Sequence, residues 1–266
     1  NHQKCIFISM RSFLITACCL FFKYGFAQTP SYDLHAEVKS SVSSGEYDRA
    51  LSLLENNIAT VRNDTSGLFD ALINLYLFEK QWRDIVNVYS IHEFRSGEDT
   101  TVLSIARFCS QHPEEKIQLD QSVHIPFKAG ATGTPVIDVK VNGHDYHFWF
   151  DTGAGMTVIS SATAAACGIK QADSKNGVAV AATGKSVDLD PGVIDSLKIS
   201  NMKVFNHACI ILNKKDLEIK VLGIPILKID GIIGWNLLQE LEVTINNQSG
   251  MISLASPKSY KRNDHN

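Results

Sequence analysis

Asp151 is the residue of this sequence best placed for acid–base chemistry. It opens the tripeptide Asp151-Thr152-Gly153, directly after the apolar run 146–150 and before the apolar run 156–159. Because glycine adopts backbone conformations that tight turns require, the pattern predicts a carboxylate on a turn between two buried strands. A carboxylate held in this way can take a proton from water or donate one to a reacting oxygen. Taken alone, the tripeptide also suits a turn or capping aspartate in an unrelated β domain.

A second motif lies downstream and makes the first more specific. Ala154 follows the tripeptide, and the chain later continues with Asp230-Gly231-Ile232-Ile233-Gly234-Trp235-Asn236-Leu237-Leu238. Together the two motifs resemble the aspartic peptidase family in its retroviral-protease-like branch. Members of that branch carry Asp-Thr-Gly-Ala at the active site and a later Ile-Ile-Gly-x-Asn-Leu-Leu run. The resemblance covers about residues 120–256.

The resemblance implies a role for each matching residue. Asp151 would be the catalytic carboxylate, in an active-site loop supported by Thr152, Gly153 and Ala154. Behind that loop would cross the structural motif Ile232, Ile233 and Gly234, followed by a short helix over 236–241. Between the two motifs, residues 177–189 predict a hairpin whose tip is Thr183, Gly184 and Lys185. The resemblance implies that this hairpin is a flap over bound peptide, and a plain surface hairpin is the alternative.

The number of candidate catalytic carboxylates in the chain predicts an oligomer. The family's chemistry needs two of them, whereas this chain has a single Asp-Thr/Ser-Gly and enough β sequence for one lobe. Asp230 precedes a glycine but lacks the following pattern. A twofold homodimer that supplies Asp151 twice is therefore expected, acting on a peptide or protein substrate as an aspartic endopeptidase. The rival function is a non-catalytic exported module that binds peptide or protein, with the helical region described next as a partner site.

The spacing of apolar residues differs between two regions of the chain. Residues 31–112 place apolar side chains at helical spacing, with Tyr47, Ala50, Leu51, Leu54 and Ile58 near one face of a helix. From about Ser122 the pattern changes to short β-branched runs broken by turn residues. Asn142-Gly143 predicts a tight hairpin turn, and Gln248-Ser249-Gly250 predicts a C-terminal hairpin between the runs 242–245 and 251–254. The predicted fold class is α+β multidomain. An all-β aspartic-protease single lobe at 120–256, closed and barrel-like, follows a helical repeat-like region at 31–112 and precedes a polar tail at 257–266.

The helical region carries a weak internal repeat. Residues 45–51 align with residues 80–86 after a shift of 35 positions, and the same shift carries Ala36 onto Ala71 and Ala106. A small residue is expected at these positions where paired helices approach closely. The period and the Gly-x-Tyr-x-x-Ala-Leu motif resemble tetratricopeptide repeats, which would offer a surface to a protein partner. An ordinary helical bundle is the alternative.

Composition excludes several classes of function. The net charge is −3 and no basic stripe is present, which argues against nucleic-acid binding. Of six cysteines, Cys109, Cys167 and Cys209 lie beyond the N-terminal stretch, and an odd number cannot pair fully within one chain. The absence of zinc-like Cys or His spacing predicts no metal site, and the peptidase resemblance implies no cofactor.

The first 27 residues read as an export signal. Met10-Arg11 gives a positive start, residues 12–22 are almost wholly apolar, and Gly25-Phe26-Ala27 supplies small residues for cleavage. A second reading places a lipoprotein cleavage box at 15–18, with Cys18 lipidated. Both readings predict an exported protein, periplasmic or secreted.

The first reading makes a direct prediction about the exported protein. Cleavage after Ala27 should leave Gln28 as the mature N-terminus, because the small residues at 25 and 27 are those a signal peptidase recognises. Intact-mass analysis of the secreted protein measures this end. A mass that corresponds to a lipid-modified Cys18 would contradict the prediction and establish the lipoprotein reading.

Overall fold

The computed structural model describes residues 33–90, 97–129, 133–172, 177–180, 186–213, 217–221 and 224–257. The chain divides into two compact units, Asn1–Glu93 and Phe94–Asn266, and each has its own core. The predicted export signal and most of the polar tail lie outside the described residues. None of the helices in these ranges is long and apolar enough to cross a membrane.

The described part of the first unit is helical. Its helices are α1 Leu34–Ser43, α2 Tyr47–Asn56, α3 Ile58–Asn63, α4 Leu68–Phe78 and α5 Trp82–Tyr89. Leu54, Leu72 and Ile85 are fully buried among them. The sequence placed Ile58 on the same helix as Tyr47, but the structure ends that helix at Asn56. The cause is Asn57, whose side-chain amide donates to the Leu53 carbonyl and competes with the helical backbone bonds.

Two turns of this unit, 35 residues apart, have the same backbone conformation. Gly45 and Lys80 occupy the turns after α1 and α4, and both have positive φ, at 75° and 55°. In each turn the next N–H, of Glu46 or Gln81, donates over 2.8 Å to the carbonyl five residues earlier. Ala36 is exposed, so it does not lie at a close approach of two helices. The assignment of these helices to tetratricopeptide repeats stays a prediction.

The second unit begins with a helix and continues as strands. Helix α6 Gly97–Cys109 packs on the β8–β9 hairpin of this unit, whereas its helical period predicted a place in the helical region at 31–112. A hydrophobic period identifies a helix but not the surface against which it packs. The strands are β1 Lys116–Gln118, β2 Val123–Pro126, β3 Lys128–Ala129, β4 Pro135–Val141, β5 His144–Phe150, β6 Thr157–Ser160, β7 Lys170–Gln171, β8 Gly177–Val180, β9 Ser186–Ile199, β10 Met202–Leu212, β11 Leu217–Val221, β12 Ile224–Ile229, β13 Gly231–Ile233, β14 Glu242–Asn246 and β15 Met251–Ala255. Two short helices interrupt them, α7 Ser161–Ala166 and α8 Trp235–Leu238.

Six of these strands close on themselves. The order runs β10–β6–β13–β5–β4–β9, and β9 pairs again with β10. The pairs β10–β6 and β13–β5 are parallel, and the other pairs in the ring are antiparallel. Phe148, Phe150 and Leu197 are buried inside the ring. The predicted α+β class with a closed, barrel-like lobe is confirmed.

Hairpins follow the predicted turn residues. Asn142 and Gly143 join β4 to β5 with φ values of 48° and 90°, which suit a two-residue turn matched to the twist of the strands. Strands β8 and β9 pair from Gly177↔Leu189 to Val180↔Ser186, so the hairpin over 177–189 is present. Its predicted flap tip, at Thr183, Gly184 and Lys185, lies outside the described residues. At the C-terminus β14 and β15 form the other predicted hairpin, and β2 adds to it as a third strand.

The close packing of β13 on β5 predicts the effect of one methyl group. A Cβ at Gly231 would lie 2.4 Å from the Phe148 ring, whereas a Cβ at Gly155 would meet nothing within 4 Å. Gly231→Ala should therefore lower the free energy of unfolding by about 1–3 kcal/mol or more, because the buried ring cannot move aside. Gly155→Ala is the matched control and should change it by less than about 0.5 kcal/mol. Urea unfolding of both variants measures the difference, and equal stability would show that the β5–β13 contact is looser than described.

Candidate active site

Strand β5 brings Asp151 to the surface of the barrel. Along β5 the side chains of Phe148 and Phe150 are buried, so the strand is fixed in register before the chain turns. The Asp151 N–H donates over 3.1 Å to the Ile233 carbonyl of β13. Asp151 itself is partly exposed. Its carboxylate thus sits at the end of a rigid strand while remaining accessible to solvent.

The two oxygens of the Asp151 carboxylate have different surroundings. Oδ1 accepts a hydrogen bond from the Gly153 N–H at 2.8 Å, which fixes the carboxylate plane relative to the loop. Within the described part of the chain, Oδ2 accepts no hydrogen bond. A Cβ at Gly153 would lie 3.2 Å from Oδ1, so glycine leaves room for this turn. One oxygen is held by the protein and the other is open to a reacting molecule.

The predicted structural motif does cross behind the loop. Strand β13 contains Ile232 and Ile233 and pairs in parallel with β5, with Ile233 opposite Phe150. It also pairs antiparallel with β6, where Ile232 lies opposite Val158. Strand β5, which precedes the Asp151 loop, and strand β6, which follows it, therefore both pair with β13.

Gly234 allows the closest backbone approach near the site. A Cβ there would lie 2.2 Å from the Met156 carbonyl carbon and 2.3 Å from its oxygen. Backbone atoms cannot move aside as a flexible side-chain end can, so no larger residue fits at this position. Helix α8 begins directly afterwards, and it is shorter than the predicted 236–241.

Helix α8 holds the other side of the loop. The Trp235 N–H donates to the Ala154 carbonyl at 2.7 Å, and the Asn236 N–H donates to the Gly155 carbonyl at 3.1 Å. These N–H groups belong to the first turn of a helix, where they have no partner within the helix. The loop carbonyls satisfy them, and residues 154–155 are fixed in return.

The other predicted site residues fall into two groups. Thr152, Gly153 and Ala154 form the loop with Asp151, and the Thr152 side chain is exposed. Asp230 has a structural role, since its Oδ2 accepts from the His147 N–H at 2.9 Å and its carbonyl accepts from Ser160 N and Thr163 Oγ1.

Sequence reasoning missed the buried polar groups behind the loop. Thr157 and His207 are fully buried and Asn236 nearly so, and all three are connected by hydrogen bonds. The available signal was a polar residue next to the apolar part of a strand, such as His207 before the run 208–212 of β10. That signal does not reveal the partner, because the partner lies on another element.

The three cysteines lie in buried surroundings that disfavour the thiolate. Cys109, Cys167 and Cys209 are buried and unpaired. Burial, with a smaller contribution from the Glu115 carboxylate, raises the pKa of the Cys109 thiol to about 12. A thiol with this pKa carries very little thiolate near neutral pH. In the described residues no group of three His, Cys, Asp or Glu side chains could hold a metal ion, and the absence of a metal site stays a prediction.

One family model matches part of the β region. The family model for "gag-polyprotein putative aspartyl protease" matches residues 137–229. Among curated proteins nothing matches significantly.

Several solved structures are similar to the chain at low sequence identity. A retropepsin-like aspartic protease from Rickettsia conorii is 18% identical, with a TM-score of 0.33, and covers 53% of this chain and 92% of its own. The EIAV protease in complex with the inhibitor HBY-793 is 17% identical, with a TM-score of 0.30, and covers 42% of this chain and 91% of its own. The retroviral protease-like domain of Ddi1 from Leishmania major is 16% identical, with a TM-score of 0.32, and covers 49% of this chain and 97% of its own.

The matched residues 137–229 include the loop that carries Asp151 and end at Ile229, directly before Asp230. Over these residues the chain matches the gag-polyprotein aspartyl protease family, and the resemblance to retroviral-protease-like aspartic peptidases is confirmed.

Proposed function

We propose that this chain is an aspartic endopeptidase that hydrolyses peptide bonds with a water molecule activated by two Asp151 carboxylates, one from each chain of a homodimer. The observation that carries the proposal is the state of the Asp151 carboxylate. Its Oδ1 is fixed by the Gly153 N–H at 2.8 Å, while Oδ2 has no partner among the described residues. A fixed carboxylate with one open oxygen is suited to general acid–base work on a bound water.

The chemistry explains why a second carboxylate is needed. Two carboxyl groups close together cannot both be ionised, so they share one proton. The ionised group takes a proton from the water as it attacks the peptide carbonyl. The protonated group donates a hydrogen bond to the carbonyl oxygen and stabilises the negative charge that develops there.

The position of the loop supports the two-chain site. The chain has a single Asp-Thr/Ser-Gly, and Thr152 is exposed next to Asp151. In a twofold dimer, the same loop of each chain would face its copy across the axis. The exposed Thr152 hydroxyl would then be available to the partner's loop, and Gly153 would permit the close approach.

The remaining parts of the chain have proposed roles around this centre. The β8–β9 hairpin would close over bound peptide as a flap and exclude water. The helical region at 31–112 would bind a protein partner, and the export signal would place the enzyme in the periplasm or outside the cell.

A single substitution tests the catalytic assignment. Asp151→Asn keeps the size of the side chain and its Oδ1 acceptor but removes the titrating carboxylate, so peptide cleavage should fall by about 10³-fold or more. Asp145→Asn is the matched control, because Asp145 lies on the same strand but its side chain is 79% exposed. The control should cleave at the wild-type rate. A thermal melt checks that both variants fold.

The rival binding module gives a different result. It would bind peptide without cleavage, remain monomeric and fail to bind a pepstatin-type inhibitor. Inhibitor titration combined with a size measurement distinguishes the two functions. Cleavage by Asp151→Asn at the wild-type rate would exclude Asp151 as the catalytic residue.

Mixing of chains tests the dimer. If each site uses one Asp151 from each chain, an inactive Asp151→Asn chain inactivates its wild-type partner. After equal amounts are dissociated and re-formed, activity per wild-type chain should fall to about half, because a twofold interface pairs identical surfaces without preference. Dilution should also lower the specific activity, as the two-chain site dissociates by mass action.

The mixing experiment needs proof of exchange. Chains with different mass tags show whether mixed dimers have formed. If exchange is complete and activity per wild-type chain is unchanged, the site lies within one chain. Asp230 and Asp138 would then be the first carboxylates to substitute.

A further inference from the structure

A hydrogen-bonded series of four polar side chains connects the segment before β1 to the back of the active-site loop. It consists of Glu115, His207, Thr157 and Asn236. His207 is 0% exposed and its Nδ1 is hydrogen-bonded to Glu115 Oε2, whose side chain is 9% exposed. His207 Nε2 is hydrogen-bonded to Thr157 Oγ1 at 2.8 Å. Glu115 lies outside the family match at 137–229, between the predicted helical region at 31–112 and the predicted lobe at 120–256.

Thr157 and Asn236, at the loop end of this series, fix both sides of the loop. Asn236 Oδ1 accepts from the Thr157 N–H at 2.8 Å and from the Thr157 hydroxyl at 3.3 Å. The Gly234 N–H donates to Thr157 Oγ1 at 3.3 Å, and the Asn236 side-chain amide donates to the Ala208 carbonyl at 2.8 Å. Thr157 begins the strand that leaves the loop, and Asn236 belongs to the helix whose N–H groups hold residues 154–155.

Two arrangements of protons satisfy these contacts. The Thr157 hydroxyl has one proton and two acceptors within reach, Asn236 Oδ1 at 3.3 Å and His207 Nε2 at 2.8 Å. If the hydroxyl donates to Asn236, His207 Nε2 donates to Thr157. If the hydroxyl donates to Nε2, the ring proton of His207 lies on Nδ1 and is donated to Glu115. In both arrangements the contact with Glu115 holds the His207 ring against Thr157.

We propose that Glu115 and His207 are positioning residues for the Asp151 loop: the hydrogen bond between Glu115 and His207 fixes the imidazole ring against Thr157, and Thr157 and Asn236 then fix the two sides of the loop. The effect on catalysis rests on the proposed peptidase function. The pair does not touch substrate, so it should affect kcat through the placement of Asp151 and leave KM nearly unchanged.

Three variants of the full chain test the proposal by kinetics. Glu115→Ala removes the partner of His207 Nδ1 and should lower kcat about 10-fold or more with KM within about twofold. Glu115→Gln keeps the shape, and its amide can donate to Nδ1, so it should restore kcat to within about threefold of wild type. Glu114→Ala is the matched control, since Glu114 is the exposed neighbour, and it should behave as wild type.

The split between kcat and KM separates positioning from a purely structural role. A variant that only loses stability has fewer folded chains, but its kcat per folded chain is unchanged. If Glu115→Ala does not fold, Glu115→Asp replaces it, because its carboxylate is one methylene shorter and should hold His207 less firmly; its kcat should fall with KM within about twofold. An unchanged kcat per folded chain in the shortened variant, or a Glu115→Gln chain that is no more active than it, would overturn the proposal.

A measurement without activity distinguishes failure of this proposal from failure of the peptidase function. The Gly153 N–H bonds Asp151 Oδ1, so its hydrogen exchange reports the order of the loop. Exchange at Gly153 should rise about 10-fold in Glu115→Ala and stay unchanged in Glu114→Ala. If no variant cleaves peptide but exchange responds as expected, the positioning holds and the peptidase function fails. If exchange does not respond, the positioning is wrong.

Discussion

The close approach of the Gly234 backbone to the Met156 backbone is the constraint on which the whole site depends. A Cβ at Gly234 would lie 2.2 Å from a backbone carbon of Met156, so the chain crosses there only because no side chain is present. The crossing brings the first N–H groups of α8 to the carbonyls of Ala154 and Gly155. Buried N–H and C=O groups must be paired, so these bonds satisfy the helix and fix the loop together. Asp151 is held from one side by β13 and from the other by this helix.

Local patterns in the sequence predicted most of this barrel. The Asn142-Gly143 turn, the hairpins over 177–189 and at the C-terminus, and the position of Asp151 after an apolar strand all depend on residues close together in the chain. The motif Ile232-Ile233-Gly234 could be placed behind the loop only through the family resemblance. The Glu115–His207 pair spans 92 residues and could not be predicted, because a polar residue in a strand does not reveal its partner. For the same reason the helix Gly97–Cys109 was grouped with the wrong neighbours: its period shows that it is a helix, not where it packs.

One chain supplies a single Asp-Thr-Gly carboxylate with one open oxygen, and this limits the chemistry that one chain can perform. A lone carboxylate can accept a proton, but it cannot at the same time donate a hydrogen bond to the carbonyl that is attacked. Both tasks require two groups in different protonation states. A twofold dimer would supply them from identical residues, because two adjacent carboxyl groups share one proton. The exposed Thr152 and the exposed Gly153 leave the loop uncovered on the side that a second copy would approach. In such a dimer the distance between the two carboxylates would depend on how firmly each loop is held. The hydrogen bonds on the inner side of the loop would therefore control that distance.

Burial of an ionisable pair is seldom favourable for stability alone. Removing two charged groups from water costs several kcal/mol each, and apolar residues of the same volume often stabilise a fold equally well. Glu115 and His207 are nevertheless buried between β10 and the segment before β1, and strand β1 pairs with β10 directly beside them. The same pairing brings Glu115 to the barrel, so residues before position 120 contribute to the support of the loop. An isolated barrel that began at 120 would leave His207 Nδ1 without its carboxyl partner in a buried site. The functional unit therefore extends toward the N-terminus, beyond the residues that the family resemblance covers.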